Sequence, residues 1–125
     1  VRGEFSARFP DAVRRVLRGQ LEAAALVNRD AAAGARLLVE TAPYLGDPAG
    51  AVATAPPADL KENLSFFGLQ GEAPVTYDEL YESASALYEK LSPGGRASAA
   101  EDTRELGPLK YVAGTAGPGL AGRRE

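Results

Sequence analysis

Apolar residues in this chain recur three and four positions apart, and no stretch alternates apolar and polar residues over five positions with β-branched content. That spacing selects helix and leaves little from which to build a sheet. Residues 76–91 show it best. Tyr77, Leu80, Tyr81, Ala84, Leu87, Tyr88 and Leu91 share one face. Thr76 and Glu79 form a Thr-x-x-Glu capping box, in which each side chain satisfies an orphan N–H of the first turn. Asp78 and Glu79 stand near the positive end of this helix and Lys90 near its negative end. Its three tyrosines read as core residues with their hydroxyls at the edge rather than as a ligand platform.

The same spacing predicts a helix over residues 10–27, opened by Pro10, with Val13, Val16, Leu17, Leu21, Ala24 and Val27 inward and Arg14, Arg15, Arg18 and Glu22 in water. Phe5 and Phe9, four apart, suit one helical turn before it. Asp30 is an N-cap for a helix over 31–41. Gly34 inside that helix costs about 1 kcal/mol against Ala unless a neighbouring element approaches there. Residues 42–57 hold Pro43, Gly46, Pro48, Gly50, Pro56 and Pro57 and read as loop, with one helical turn around 49–54. Pro57 opens a helix over 57–66 that carries Leu60, Leu64 and Phe67 inward and stops at Gly68. Residues 99–106 add a short acidic turn, and 114–125 read as a flexible tail behind a single helical segment, 1–113. The expected fold class is all-α, about four helices joined by long Gly/Pro loops.

The helices have a thin core to share. Ala supplies 24 of the apolar residues against 15 Leu, 8 Val, 4 Phe and no Ile, so most of the apolar surface is small. His, Cys, Met and Trp are all missing. Without His and Cys there are no thiol nucleophiles, disulfides or His-based triads, and no zinc site of the usual kind. With no Met, the chain is expected to start within a longer reading frame or after processing. Net charge is −3 with a pI near 5.1, which disfavours a nucleic-acid role. The charge is unevenly placed: residues 1–36 carry a net +3 and residues 57–91 a net −5. No apolar run approaches the ~18 residues of a membrane span.

Catalytic constellations are weak. Ser6, Ser65, Ser83, Ser85, Ser92 and Ser98 have no His as base, and no Ser-x-x-Lys occurs. Asp78-Glu79 and Glu101-Asp102 are sequence neighbours that cannot face each other on a helix, so they read as solvated carboxylates. The Gly114–Gly119 stretch lacks the Lys-Ser/Thr ending of a phosphate loop. Asp47–Gly50 lacks the acidic ladder of a calcium loop. No enzymatic activity, cofactor or metal is expected from these residues.

The order of features resembles the late part of ABC-transporter solute-binding proteins of the nitrate/sulfonate/taurine/bicarbonate group. Val1-Arg-Gly-Glu-Phe5 resembles the family's strand-ending turn. Pro10-Asp-Ala-Val13 and Val16-Leu17-Arg18…Leu21-Glu22-Ala23-Ala24 are similar to its long helix. Asn28-Arg29-Asp30-Ala31-Ala32 resembles its step into the next helix. Thr76-Tyr77-Asp78-Glu79-Leu80…Leu87-Tyr88-Glu89-Lys90-Leu91 is similar to its closing helix, and Ala100-Glu101-Asp102 to the acidic segment beyond. Leu26 stands where the family commonly has Trp or Tyr, and Leu91-Ser92-Pro93 where it usually reads Leu-Gly.

The resemblance implies a bilobal, hinge-closing α/β receptor outside the cytoplasmic membrane, periplasmic or a cell-surface lipoprotein, of which this chain is the helical part of lobe one. It implies a small anionic solute held mainly by residues upstream, an ABC permease as partner, and contact with the membrane only through that permease. Arg2, at the implied strand end, is the one position here near enough to be weighed as ligand-binding. A stand-alone helical protein-interaction module is the alternative. An enzyme sharing the fold, such as one of thiamine-precursor synthesis, is a third reading. A helical piece with an orphaned apolar face is also expected to self-associate.

Overall fold

The computed structural model describes residues 3–44, 46–92 and 94–117. Among them are seven α-helices, one 3-10 turn and no strand, so the chain is all-α. The helices are α1 (Gly3–Arg8), α2 (Pro10–Arg29), α3 (Ala31–Thr41), α4 (Pro48–Thr54), α5 (Leu60–Phe66), α6 (Tyr77–Leu91) and α7 (Gly107–Gly114); the 3-10 turn is Ala100–Thr103. Arg2 and Val1, the implied strand end, lie outside the described residues, as does 118–125 of the expected tail.

Caps written in the sequence set most of these boundaries. Pro10 occupies the first turn of α2. Asp30 accepts from the Ala33 N–H at 2.9 Å to open α3, and Asp47 accepts from the Gly50 N–H at 2.9 Å to open α4. The third expected helix begins later than Pro57. Asp59 caps it, accepting from the Glu62 N–H at 2.9 Å while Glu62 accepts from the Asp59 N–H at 2.9 Å. This reciprocal box outcompetes a proline start because it satisfies two orphan donors. α5 ends as expected at Gly68, which has φ +66°. There the Leu69 N–H donates to the Leu64 carbonyl at 2.8 Å and the Gly68 N–H to that of Ser65 at 3.0 Å, a Schellman closure.

The main core joins α2, α5 and α7 through Leu21, Leu60, Leu64, Leu109 and Val112, with Leu17, Phe67, Leu69 and Ala113 against it. Val112 is fully buried. α7 therefore completes the core, yet no helix was expected there. Its Gly107-Pro108 start reads locally as a turn, and eight residues give periodicity little room. The tail also begins later than expected: Gly114 is the last residue of α7, and the Thr115 N–H donates to the Tyr111 carbonyl at 3.1 Å.

A second packing layer sets α3 against both α2 and α4, with Ala24 and Ala25 of α2 and Val52 of α4 buried. Gly34 is buried here, and a Cβ on it would stand 2.8 Å from Val27 Cγ1. Its lack of a side chain lets α3 approach α2, which answers the cost expected from the sequence. Asn28 ties the connection into α5 to α2, donating from Nδ2 to the Pro57 carbonyl at 3.0 Å.

Two expectations about α2 need correction. Val16, on the expected inner face, is exposed. Arg14 and Arg18, expected in water, instead brace α7. The Arg14 guanidinium sits 4.2 Å from the Tyr111 ring centroid, and Arg18 donates to the Thr115 carbonyl at 3.0 Å and its Oγ1 at 2.6 Å. The short α7 needs more than its apolar face to dock, and long arginines reach over from α2.

Candidate functional site

The helix best marked in the sequence is the one least buried in the structure. α6 has the expected capping box: the Thr76 N–H donates to Glu79 Oε2 at 2.8 Å and the Thr76 hydroxyl to the same atom at 2.9 Å. The backbone bond first, and then the hydroxyl, hold the Glu79 carboxyl below its ordinary value of 4.5. Yet none of the residues of α6 is buried. Leu80, Leu87, Tyr88 and Leu91 are exposed, Leu91 at 73%. The reading of this face as core is thus overturned: the periodicity marks an apolar face correctly, but the described residues do not cover it.

What holds α6 is its first turn. Tyr77 lies 5.3 Å from the Phe67 ring, 6.0 Å from Phe66 and 5.9 Å from Tyr81, centroid to centroid. The Tyr77 hydroxyl and Thr103 Oγ1 are 2.8 Å apart. Arg104, from the segment after the 3-10 turn, pairs with Asp78 and lies over the Tyr77 ring at 5.5 Å. Beyond Tyr81 the helix carries its apolar face out into solvent.

An apolar groove of about 470 Å³ adjoins this anchor. Phe5, Val13, Leu17, Phe67, Leu106 and Leu109 line its walls, and Tyr77, Thr103 and Arg104 stand at its polar end. The Tyr77 and Thr103 hydroxyls bond to each other and Arg104 pairs with Asp78, so the groove offers burial to an apolar group. Ser6 is buried beside it on α1.

The other residues weighed from the sequence do not converge. Ser65 and Ser83 hydroxyls donate to the carbonyls of Lys61 and Glu79 within their own helices, each at 2.8 Å. Glu101 and Asp102 are exposed on the 3-10 turn, and Glu79 faces solvent. Among the described residues no three acidic side chains gather to hold a metal ion, and no helix is long and apolar enough to cross a membrane. The Arg2 expectation lies outside the described residues.

Sequence reasoning expects an orphaned apolar face but does not place it on α6, whose face it assigns to the core. The one signal for that placement was the thin core: too few large apolar residues elsewhere to cover a further four-turn helix. Comparisons with protein-family models, curated proteins and solved structures found no match.

Proposed function

We propose that this chain is the helical, non-catalytic part of a solute-binding receptor for ABC-type uptake of a small anion or sulfonate-like solute, working outside the cytoplasmic membrane. The observation that carries the reading is the apolar row Leu80, Leu87, Tyr88 and Leu91 on α6, each more than half exposed among the described residues. A helix this amphipathic is stabilised mostly by covering its face, and a contiguous exposed apolar row marks a packing surface. The order of motifs along the chain supplies the surface: the α/β remainder of a receptor lobe. In this reading α6 seats the helical part on that lobe, the solute is held chiefly by the lobe's strand ends with Arg2 adjacent, and the permease is the partner.

The second reading is a stand-alone helical interaction module. The self-contained core of α2, α5 and α7 favours it, because those helices bury their faces against each other without a sheet.

The test joins two measurements. The product of the complete reading frame is titrated with taurine, nitrate and bicarbonate, and chain 1–125 alone is followed by sedimentation and by binding of an apolar dye. Saturable binding by the complete product, with self-association or strong dye binding by the chain alone, supports the receptor reading. A frame encoding no α/β lobes, or a chain that melts cooperatively as a monomer without dye binding, overturns it in favour of the module.

A further inference from the structure

Four residues of α2, Asp11, Arg14, Arg15 and Arg18, are spaced so that they share one face, and that face meets Tyr111 and Thr115 of the α7 end around a hollow of about 460 Å³. We propose that this hollow is a binding site for a small free oxyanion: a phosphate, sulfonate or carboxylate. The proposal does not rest on the receptor reading, since it uses neither Arg2 nor the α6 face.

Both its charge and a geometry fixed in advance suit the hollow to an anion. Three guanidinium groups and one carboxylate line the hollow. Asp11 answers only one of them, through the 3.0 Å ion pair with Arg14. Arg18 is held by two neutral acceptors, the Thr115 carbonyl and hydroxyl, which fix its position without cancelling its charge. Arg15, on the same face, makes no ion pair among the described residues. The hollow therefore carries an excess of two positive charges in a chain whose net charge is −3.

Two of the three arginines are also immobilised. The Tyr111 ring backs the Arg14 guanidinium at 4.2 Å, and Thr115 fixes Arg18. Their helices in turn are locked through Leu21, Leu109 and Val112. A guanidinium presents parallel N–H donors that match two oxygens of a carboxylate, sulfonate or phosphate. Side chains already held in place lose less freedom when the anion arrives. The fixed guanidinium groups gather on two turns of α2 beside one aromatic ring, which suits a compact anion better than an extended polyanion.

The test is an NMR titration of isotope-labelled chain 1–125 with sodium phosphate and with sodium methanesulfonate, against sodium chloride at equal ionic strength, following the arginine Nε–H signals. Saturable shifts of Arg15 and Arg18 with the oxyanions and not with chloride support the site. R15Q, which breaks no hydrogen bond or ion pair among the described residues, is expected to weaken binding about tenfold while leaving the melting temperature unchanged. D11N, which removes the competing carboxylate, is expected to tighten it. R18Q loosens α7 as well, so R15Q decides. Shifts that follow ionic strength whatever the anion, no saturable shift, or an R15Q variant that binds as the wild type does would each overturn the proposal.

Discussion

Single residues set the joints of this molecule. At the crossing of α2 and α3, Gly34 faces Val27, whose β-branched side chain has little freedom to turn aside. G34A is therefore expected to destabilise by about 1 kcal/mol, the overpacking exceeding the gain in helix propensity. In a double-mutant cycle with V27A, chemical denaturation should show a coupling above about 0.5 kcal/mol, because V27A opens the space that the new methyl needs. Asn28 is a second joint. N28A should cost about 1 kcal/mol, measured the same way, through loss of its bond to the Pro57 carbonyl. Glu79 is a pH-dependent one. Its carboxyl is held below 4.5 by bonds that need the charged form, so the cap is complete above that pH and is lost as the pH falls through the lowered value. Hydrogen-exchange protection of the Thr76, Glu79 and Leu80 amides, corrected for the intrinsic pH dependence of exchange, should fall on acidification in the wild type, and E79Q should flatten that dependence.

Elements differ in how plainly the sequence announces them. α3 and α6 are legible because Asp30 and the Thr76–Glu79 pair are local signals whose geometry needs nothing distant. α5 is legible through its Leu60, Leu64 and Phe67 spacing and its Gly68 stop, with its start misplaced at Pro57 instead of the Asp59–Glu62 box. α7 is not. It opens on Gly-Pro, and its helical state depends on Leu109 and Val112 meeting α2 and α5, partners far away in sequence. Leu109→Ala should cost about 2–4 kcal/mol by thermal or chemical denaturation, as expected of a buried leucine at the centre of the only large apolar cluster described. The α6 face illustrates the opposite limit. Periodicity says which side of a helix is apolar, but it does not say whether the covering surface belongs to the same chain. Replacing Leu80, Leu87 and Leu91 together by Glu should change stability by no more than about 0.5 kcal/mol per site, because these side chains are exposed, and should abolish dye binding and self-association. A collapse of the melting temperature in that variant would mean that the face is covered from within.

At the scale of the whole molecule, the candidate site was the part least legible in the sequence. The groove and the α6 row come from how α1, α2, α5, α6 and α7 sit together, and the arginines that brace α7 read along the chain only as a wet stripe on α2. The bond from Arg18 to Thr115 spans 97 residues, and that separation has a consequence for the newborn chain. Ribosomes add about 5–20 residues per second. The seam of Leu17 and Leu21 thus emerges into water roughly 5–20 s before Leu109 and Val112 emerge to close it. Throughout that interval the nascent polypeptide offers an open apolar strip to whatever chaperone waits at the tunnel exit, and its stable core forms only after synthesis of α7.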